Sequence, residues 1–295
     1  MRRLIINADD FGFTEGVNRA ILESHARGIV TSTTLMANAP AFPQAAASAK
    51  KSDGLSVGCH VVLIDGQPVL PAANVSTLTR KSGNDGPHFH NGLSGFAVRA
   101  LAGRLAASEI EAEATAQIRK IQADGISLTH FDTHKHTHIF PAVLRPLLRA
   151  ARNCGIGAVR NPFPPPSPLP ASMLLSTPFL WKRHVQLSFL RRYADSFLRS
   201  VNEAGLLTTD GTLGAIATGS LDEKLFQAIV EHIPEGTWEF VCHPGYNDAD
   251  LQSARTRLKE SREQELKILT SPEAKRILSD NRIDLISYRD LLSSG

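Results

Sequence analysis

Residues 3–27 read RLIINADDFGFTEGVNRAILESHAR and contain one complete strand-to-helix unit. The β-branched run at residues 3–7 predicts a buried strand, and the apolar spacing over residues 15–27 predicts an amphipathic helix. Thr14 is the predicted N-cap of that helix, and Gly28 is predicted to end it. A strand followed directly by a helix is the repeating unit of parallel α/β folds.

The same alternation continues towards the C-terminus. Further strands are predicted at residues 30–36, 55–63, 127–132, 157–160, 213–216, 238–242 and 283–287. Further helices are predicted at residues 43–51, 108–124, 141–153 and about 221–232, with one or two more between 254 and 280. This order predicts an α/β fold with parallel strands joined by helical crossovers. The strand count and length favour a barrel of seven or eight strands over an open sheet, which periodicity alone does not exclude.

Two stretches interrupt this pattern. Residues 66–105 carry Gly, Asn and Pro and are predicted to form a long loop over the functional site. Residues 161–200 open with NPFPPPSPLP, then become apolar and basic, and are predicted to be an insertion that partly covers one face. Since neither an internal repeat nor a clear linker divides the sequence, residues 1–295 are predicted to form a single domain.

The composition argues against several classes of protein. The 32 basic and 29 acidic residues give a net charge of only +3, without a long Lys/Arg block, so nucleic acid is a poor candidate partner. Cys59, Cys154 and Cys242 are scattered and lack C-x-x-C spacing, which indicates buried thiols in a reducing compartment. There is neither a signal-peptide core nor an apolar run of about 20 residues, so we expect a cytoplasmic protein without a transmembrane segment.

Two adjacent carboxylates, Asp9 and Asp10, follow the first predicted strand. In parallel α/β folds this edge of the sheet collects functional groups. One of the two could simply cap the next helix, but Thr14 already serves that purpose. A functional role is therefore the preferred interpretation.

Histidines are concentrated in THFDTHKHTH, residues 129–138, where His or Asp recurs at every second position. Any extended part of this run would point these side chains to one side. Buried neutral imidazoles each need partners, so packing alone explains the run poorly, and a metal site is the natural interpretation. The five groups cannot all bind one ion, so some must orient ligands or face the substrate.

Two further strands also supply histidines. His60 lies inside an apolar strand, where a lone histidine is usually a hydrogen-bonded core residue; Gly58 on the same face leaves room for another group to approach. His243 ends the strand WEFVCH. Together, four strands end in Asp or His, and one assembled site is the most economical explanation. Two imidazoles and one carboxylate leave open positions on an ion, which suits hydrolysis of an amide or ester.

The motifs NADDFG, GIVTSTTLMANAPAF, VGCHVVLIDGQPVL, THFDTHKHTHIFP, CHPGY and ILTSP resemble the YdjC/ChbG family of carbohydrate deacetylases from residue 5 to about residue 272. The resemblance implies a distorted (β/α) barrel of mostly parallel strands, similar to polysaccharide deacetylases, and removal of N-acetyl groups from small sugars with magnesium. HKHTHIFP and HVVLIDGQPVLP also resemble the branch associated with hopanoid biosynthesis, which implies a lipid-linked aminosugar.

Carried over onto this sequence, the resemblance implies metal ligands at Asp10, His60 and His134. It implies a general base at Asp9 and an acid at His243. Three residues are assigned to the substrate or to support of these groups, namely Arg160, His136 and His138. For Arg160 the alternatives are substrate contact, orientation of Asp9, or a simple surface arginine.

The sequence leaves open which ion binds and which bond is hydrolysed. Two imidazoles favour zinc, cobalt, manganese or iron over magnesium, which prefers oxygen ligands. Alternatives to deacetylation are a metal-dependent hydrolase of a phosphoester or cyclic amide, and a non-catalytic sugar-binding protein. A homodimer is the default expectation, because closed symmetric dimers are common.

Overall fold

The computed structural model describes residues 1–81 and 86–293. The strands are β1 (Arg2–Phe11), β2 (Ser32–Leu35), β3 (Ser56–Val61), β4 (Thr79–Lys81), β5 (Pro87–Phe89), β6 (His130–Thr133), β7 (Ala158–Val159), β8 (Leu207–Thr208), β9 (Gly211–Leu213), β10 (Gly236–Cys242) and β11 (Ile283–Leu285). The helices are α1 (Glu15–Ala26), α2 (Phe42–Ala49), α3 (Leu93–Leu101), α4 (Ala107–Ala123), α5 (Pro141–Asn153), α6 (Ala171–Ser176), α7 (Pro178–Leu190), α8 (Ala194–Glu203), α9 (Glu223–Glu231), α10 (Ala249–Ser253), α11 (Glu260–Leu269), α12 (Pro272–Asp280) and α13 (Tyr288–Ser293). Within these residues, no helix combines the length and apolarity needed to cross a membrane.

The main sheet is a nearly closed barrel. Eight parallel strands follow the order β8-β7-β6-β3-β2-β1-β10-β9, and β11 pairs in parallel with the start of β1. Near the two ends of this order, the backbone N–H of Thr212 in β9 donates to the carbonyl of Phe163, just after β7, at 2.9 Å. The predicted α/β fold, a distorted barrel of seven or eight mostly parallel strands, is confirmed.

The first strand-to-helix unit shows how local sequence builds this layer structure. Leu4 and Ile6 of β1 join the main apolar core, whereas Ile5 packs in a separate small cluster with Tyr288. Alternate residues of the strand therefore face opposite sides of the sheet. The hydroxyl of Thr14 accepts from the Val17 backbone N–H at 3.2 Å, so the predicted N-cap of α1 is confirmed.

Most other predicted elements exist with small shifts at their ends. Helix α5 has the predicted bounds, and Cys59, Cys154 and Cys242 are buried free thiols as expected. The strand predicted at residues 213–216 is wrong in position, because β9 ends at Leu213. Gly214 follows it with a φ of +83°, a left-handed conformation that interrupts the extended chain.

Residues 66–105 are only partly a loop. They include the antiparallel β4–β5 hairpin and helix α3, whose Phe96 and Ala100 form a buried apolar face that stabilises it. The prediction of a plain loop is therefore wrong for these parts. Residues 82–85 of this stretch lie outside the described residues.

Residues 161–200 begin just after β7, at the end of the barrel where the parallel strands end. The proline-rich opening is non-helical, and α6, α7 and α8 follow it. Arg183 of α7 donates to the carbonyl of Thr218, beyond β9, at 2.8 Å, and Arg191 donates to the carbonyl of Pro164, beyond β7. These contacts hold the insertion at the rim of the barrel. The assignment of the whole chain to a single domain stays a prediction.

Candidate active site

Asp9 and Asp10 reach the same site because β1 is irregular at this point. Neighbouring residues on a strand normally point to opposite faces. Here the register between β1 and β2 shifts between Ala8 and Phe11, and Asp10 has a φ of 68°. Bulges of this kind re-aim side chains, and Asp is among the residue types that tolerate left-handed backbone. Both carboxylates are therefore buried side by side.

Asp10, His60 and His134 form a compact triangle of possible ligand atoms. Asp10 Oδ1 lies 3.4 Å from His60 Nε2 and 3.5 Å from His134 Nδ1, and the two nitrogens are 3.4 Å apart. Ligand atoms that bind one ion at about 2.0–2.2 Å lie roughly 3.0–3.5 Å from one another in tetrahedral to octahedral geometry. The donor set and its spacing therefore fit a divalent metal ion.

Asp132 orients His60 within this triangle. Its Oδ1 lies 2.7 Å from His60 Nδ1, so the carboxylate favours the tautomer that leaves Nε2 free to face Asp10. Burial lowers the pKa of His60, but Asp132 and then the carboxylates of β1 outweigh it and raise that pKa to about 9, so a bound ion would displace the proton from Nε2. The strand geometry explains the pair, since His60 on β3 and Asp132 on β6 are directly paired residues.

Arg262 from α11 holds the other oxygen of Asp10. Its Nη2 donates to Asp10 Oδ2 at 2.5 Å, so Oδ1 is left to face the two histidines. Burial alone would raise the pKa of Asp10, but the Arg262 guanidinium and the nearby imidazoles hold it well below its usual range. Asp10 is therefore an anion suited to bind an ion through one oxygen.

Arg160 fixes Asp9 in its ionised form. Its Nη1 and Nη2 donate to Asp9 Oδ2 and Oδ1 at 2.8 and 2.6 Å. Burial opposes ionisation of Asp9, but the charge and hydrogen bonds of Arg160 prevail and lower its pKa well below its usual range. Because the Arg160 side chain has 0% exposure, the alternative in which it orients Asp9 is favoured over substrate contact or a surface role.

The Arg160 guanidinium also contacts a second group of possible metal ligands. Asp9, His60 and Asp132 offer atoms close enough for a metal ion. However, Arg160 Nη1 lies 2.5 Å from Asp132 Oδ2, and Arg160 Nε donates to Glu239 Oε1 at 2.8 Å. A cation already neutralises this second group, so it does not fit a second ion.

His243 lies near Asp9, and Glu265 lies near His243. His243 Nε2 is 4.0 Å from Asp9 Oδ2, and its Nδ1 is 3.9 Å from Glu265 Oε2, which accepts the His243 backbone N–H at 2.5 Å. Burial lowers the pKa of His243 to about 4. Burial likewise raises the pKa of Glu265 to about 7. The pair can therefore carry one proton near neutral pH.

A sequence model of the family described as YdjC-like protein matches residues 3–280. The chain belongs to the YdjC-like family. A relative named carbohydrate deacetylase from Brevibacillus brevis is 34% identical, over 98% of this chain and 99% of its own length. Carbohydrate deacetylase 1 from Listeria innocua is 32% identical, over 98% of this chain and all of its own length.

A solved structure supports the same relationship at the level of fold. The crystal structure of an Enterococcus faecalis protein, assigned by its name to cellobiose-phosphate cleavage, matches with a TM-score of 0.78 and 26% identity. The match covers 98% of each chain. The overall fold of this YdjC-like chain is therefore shared with a protein of experimentally known structure.

The histidines of residues 130–138 have different surroundings in this family member, so they have different roles. Only residues 130–133 are extended, because Lys135 and His136 adopt left-handed backbone with φ of 57° and 52°. His138 therefore leaves the predicted alternation: its Nδ1 lies 2.7 Å from Thr133 Oγ1 and its Nε2 3.2 Å from the Arg160 carbonyl. With both ring nitrogens engaged and 0% exposure, His138 does not support the predicted substrate contact.

His136 remains a candidate for substrate contact. Its ring is partly exposed, and its Nδ1 is a buried atom without a hydrogen-bond partner among the described residues. Burial, followed by the charge of Arg160, lowers the pKa of His136 to about 3, so the ring is neutral. A neutral imidazole at the edge of the site can accept or donate a hydrogen bond.

The space that Gly58 leaves beside His60 is filled by the ring of His130. A Cβ at Gly58 would lie 2.6–2.7 Å from the His130 ring, which stacks on Tyr288 with centroids 3.6 Å apart. His130 Nε2 lies 3.1 Å from Asn7 Oδ1 and the ring is fully buried, so it is a packed core histidine. The group that Gly58 admits is thus another side chain of the protein.

Sequence reasoning missed three charged residues of this site: Glu239, Arg262 and Glu265. Glu239 lies in the middle of an apolar strand, where a buried charge requires a partner, and this pattern could have identified it. Arg262 and Glu265 are spaced three apart on α11, so they share a helical face. Nothing in their local sequence distinguishes that face from an ordinary exposed one.

Proposed function

We propose that the protein is a metal-dependent hydrolase that removes the N-acetyl group from an acetylated aminosugar. The observation that carries the proposal is the triangle of Asp10, His60 and His134 atoms beside a carboxylate, Asp9, that takes no part in it. The relatives named carbohydrate deacetylase, at 32–34% identity over nearly the whole chain, support the bond and the substrate class.

Asp10, His60 and His134 would hold the ion. A divalent ion supplies Lewis-acid chemistry: it makes water a stronger acid and polarises a carbonyl oxygen. Two imidazole ligands favour zinc, cobalt or manganese, whereas the family resemblance implies magnesium. The proposal therefore commits to a divalent ion and leaves its identity to experiment.

Asp9 and His243 divide the proton transfers. The ionised Asp9 carboxylate accepts a proton from the attacking water as the new C–O bond forms. His243 lies 4.0 Å from Asp9 and delivers a proton to the sugar nitrogen as the C–N bond breaks. Burial lowers the pKa of His243 to about 4, and Glu265, whose carboxylate lies 3.9 Å from Nδ1, would supply this proton. The products are acetate and the free aminosugar.

Two rival functions receive less support. A two-metal phosphoesterase would need ions about 3.5–4 Å apart, yet the second candidate group found among residues 1–81 and 86–293, Asp9, His60 and Asp132, is already neutralised by Arg160. A non-catalytic sugar-binding protein has no evident use for Asp9, a buried carboxylate beside the ligand triangle. A deacetylase uses the ligand triangle, Asp9 and His243.

An acetate-release screen tests the proposal. Acetylated mono-, oligo- and lipid-linked aminosugars would be assayed with zinc, cobalt, manganese and magnesium in turn. We expect metal-dependent acetate release that Asp9→Asn abolishes while bound metal is retained. Asp53→Asn, at an exposed carboxylate, is the matched control and should keep full activity. Tight sugar binding without acetate release across the panel would instead support a binding protein.

A further inference from the structure

Helix α7 presents an apolar face to solvent. Its seven exposed residues are Pro178, Phe179, Trp181, Lys182, Val185, Gln186 and Phe189. Five of these are apolar, and the aromatic and aliphatic members are 46% (Phe179), 48% (Trp181), 49% (Val185) and 61% (Phe189) exposed. An exposed surface helix normally turns its polar side outward, so a clustered apolar face marks an interaction surface.

The face is presented by a helix that is held in place. On the inner side Leu180 is 5% exposed, and Arg183 donates to the carbonyls of Ala215, Ile216 and Thr218 at 3.2, 3.2 and 2.8 Å. Leu175 of the preceding helix α6 is also apolar and 72% exposed. The apolar side chains of α7 are therefore exposed although the helix itself is packed against the barrel.

Two exposed basic side chains, Lys182 and Arg192, lie at this face, whereas Arg183 and Arg191 bind backbone carbonyls of the barrel. Residues 171–200 contain five Lys or Arg residues and a single acidic residue, Asp195. Lys182 lies within the apolar face itself, and the guanidinium of Arg192 lies 3.8 Å from the Phe189 ring centroid. Basic side chains combined with Trp, Phe and Leu on one surface are typical of helices that lie in the plane of a membrane interface.

We propose that the exposed face of α7 binds the surface of a lipid bilayer that contains anionic lipids. Trp181 and Phe189 would enter the headgroup region, and Lys182 and Arg192 would contact the lipid phosphates. A second copy of the chain fits less well, since a two-fold contact would bring the same basic surface against itself. This surface does not depend on the proposed deacetylase function.

The position of this face bears on how substrate reaches the candidate site. The carbonyls that bind Arg183 and Arg191 follow β9 and β7, at the same end of the barrel where β1, β3 and β6 carry the candidate ligands. A bilayer bound at α7 would therefore lie next to the mouth of the candidate site.

Tryptophan fluorescence can test the binding directly. The chain has two tryptophans, and Trp238 is only 6% exposed, whereas Trp181 lies on the proposed face. We expect vesicles of phosphatidylcholine mixed with phosphatidylglycerol to shift the emission to shorter wavelength. Trp181→Phe should abolish the shift and retain vesicle binding. Vesicles of phosphatidylcholine alone should produce a much smaller shift.

Co-sedimentation with the same vesicles tests the face as a whole. A variant with Trp181→Ser, Val185→Ser and Phe189→Ser should bind the anionic vesicles at least tenfold more weakly and keep its circular dichroism and its activity on water-soluble substrates. The matched control, Val98→Ser with Leu101→Ser on α3, changes residues that are 63% and 64% exposed and should bind as the unmodified protein does. Equal binding by the face variant, an equal loss in the control, or no binding of the unmodified protein would overturn the proposal. Concentration-dependent dimerisation that only the face variant loses, without vesicle binding, would assign the face to a second copy.

Discussion

Arg160 donates from both terminal guanidinium nitrogens to the two carboxylate oxygens of Asp9, at 2.8 and 2.6 Å. The same side chain contacts Asp132 and Glu239, and none of its surface is exposed. Tyr288 completes the arrangement, since its hydroxyl donates to Glu239 Oε2 at 2.5 Å. One buried cation thus fixes the candidate base and links strands from both halves of the barrel.

Replacing Arg160 should therefore affect both folding and activity. Removal of one partner from a buried ion pair leaves uncompensated charge, so Arg160→Met should lower the free energy of unfolding by about 3–5 kcal/mol. Arg160→Lys keeps a charge but cannot donate in parallel to both Asp9 oxygens, so kcat should fall at least tenfold even where the protein folds. Urea unfolding and acetate release measure the two effects. Arg152→Met, at an exposed arginine of α5, is the control; an equal effect there would contradict the assignment.

The proposed ion should stabilise the folded protein measurably. A ligand that binds only the folded state at 100 times its Kd adds about 2.7 kcal/mol, so chelation should lower the thermal midpoint and metal return should restore it. His134→Ala should weaken metal binding in calorimetry. His136→Ala, two residues away and outside the ligand triangle, should leave metal affinity within about threefold of the unmodified protein. A similar loss in both variants would argue against the triangle.

Glu265 should make stability depend on pH. Burial raises its pKa to about 7 from a usual value of 4.5, so the folded state binds its proton more tightly than the unfolded state does. This contribution is complete below pH 4.5 and is lost as the pH rises through 7, with a total of about 3 kcal/mol. Glu265→Gln should remove that dependence, so that the free energy of unfolding falls less between pH 5 and 8 than in the unmodified protein. Parallel pH curves for the two proteins would rule out the effect.

Gly58 and Gly95 form a matched pair of glycine tests. A methyl group at Gly58 meets the His130 ring at 2.6–2.7 Å, so Gly58→Ala should cost about 1–3 kcal/mol of stability through overpacking. Gly95 lies in α3 with open space around its Cβ position, so Gly95→Ala should stabilise the helix by about 1 kcal/mol. Thermal unfolding compares the two. A stabilising Gly58→Ala would show that the His130 stack is loose.

The sequence alone determined the α/β class and most strands and helices, and its family resemblance implied the residues of the candidate ligand triangle. The elements are local features that periodicity identifies, and parallel strands must bring their ends to one edge. Asp10, His60 and His134 therefore meet because each lies at or just beyond the end of its own strand. The bulge that turns Asp10 beside Asp9 was not visible in the pattern, since a register shift arises only against the neighbouring strand.

Only the tertiary structure decided which groups support that triangle. Arg160 and Glu239 are 79 residues apart, and Arg262 and Asp10 are 252 apart, so no local pattern connects them. Backbone geometry also decides which histidines of residues 130–138 face the same way. The left-handed turn at Lys135 and His136 separates His134 from His138. Spacing along the chain predicts which side chains can face one way, whereas burial, charge balance and long-range hydrogen bonds determine what each of them contacts.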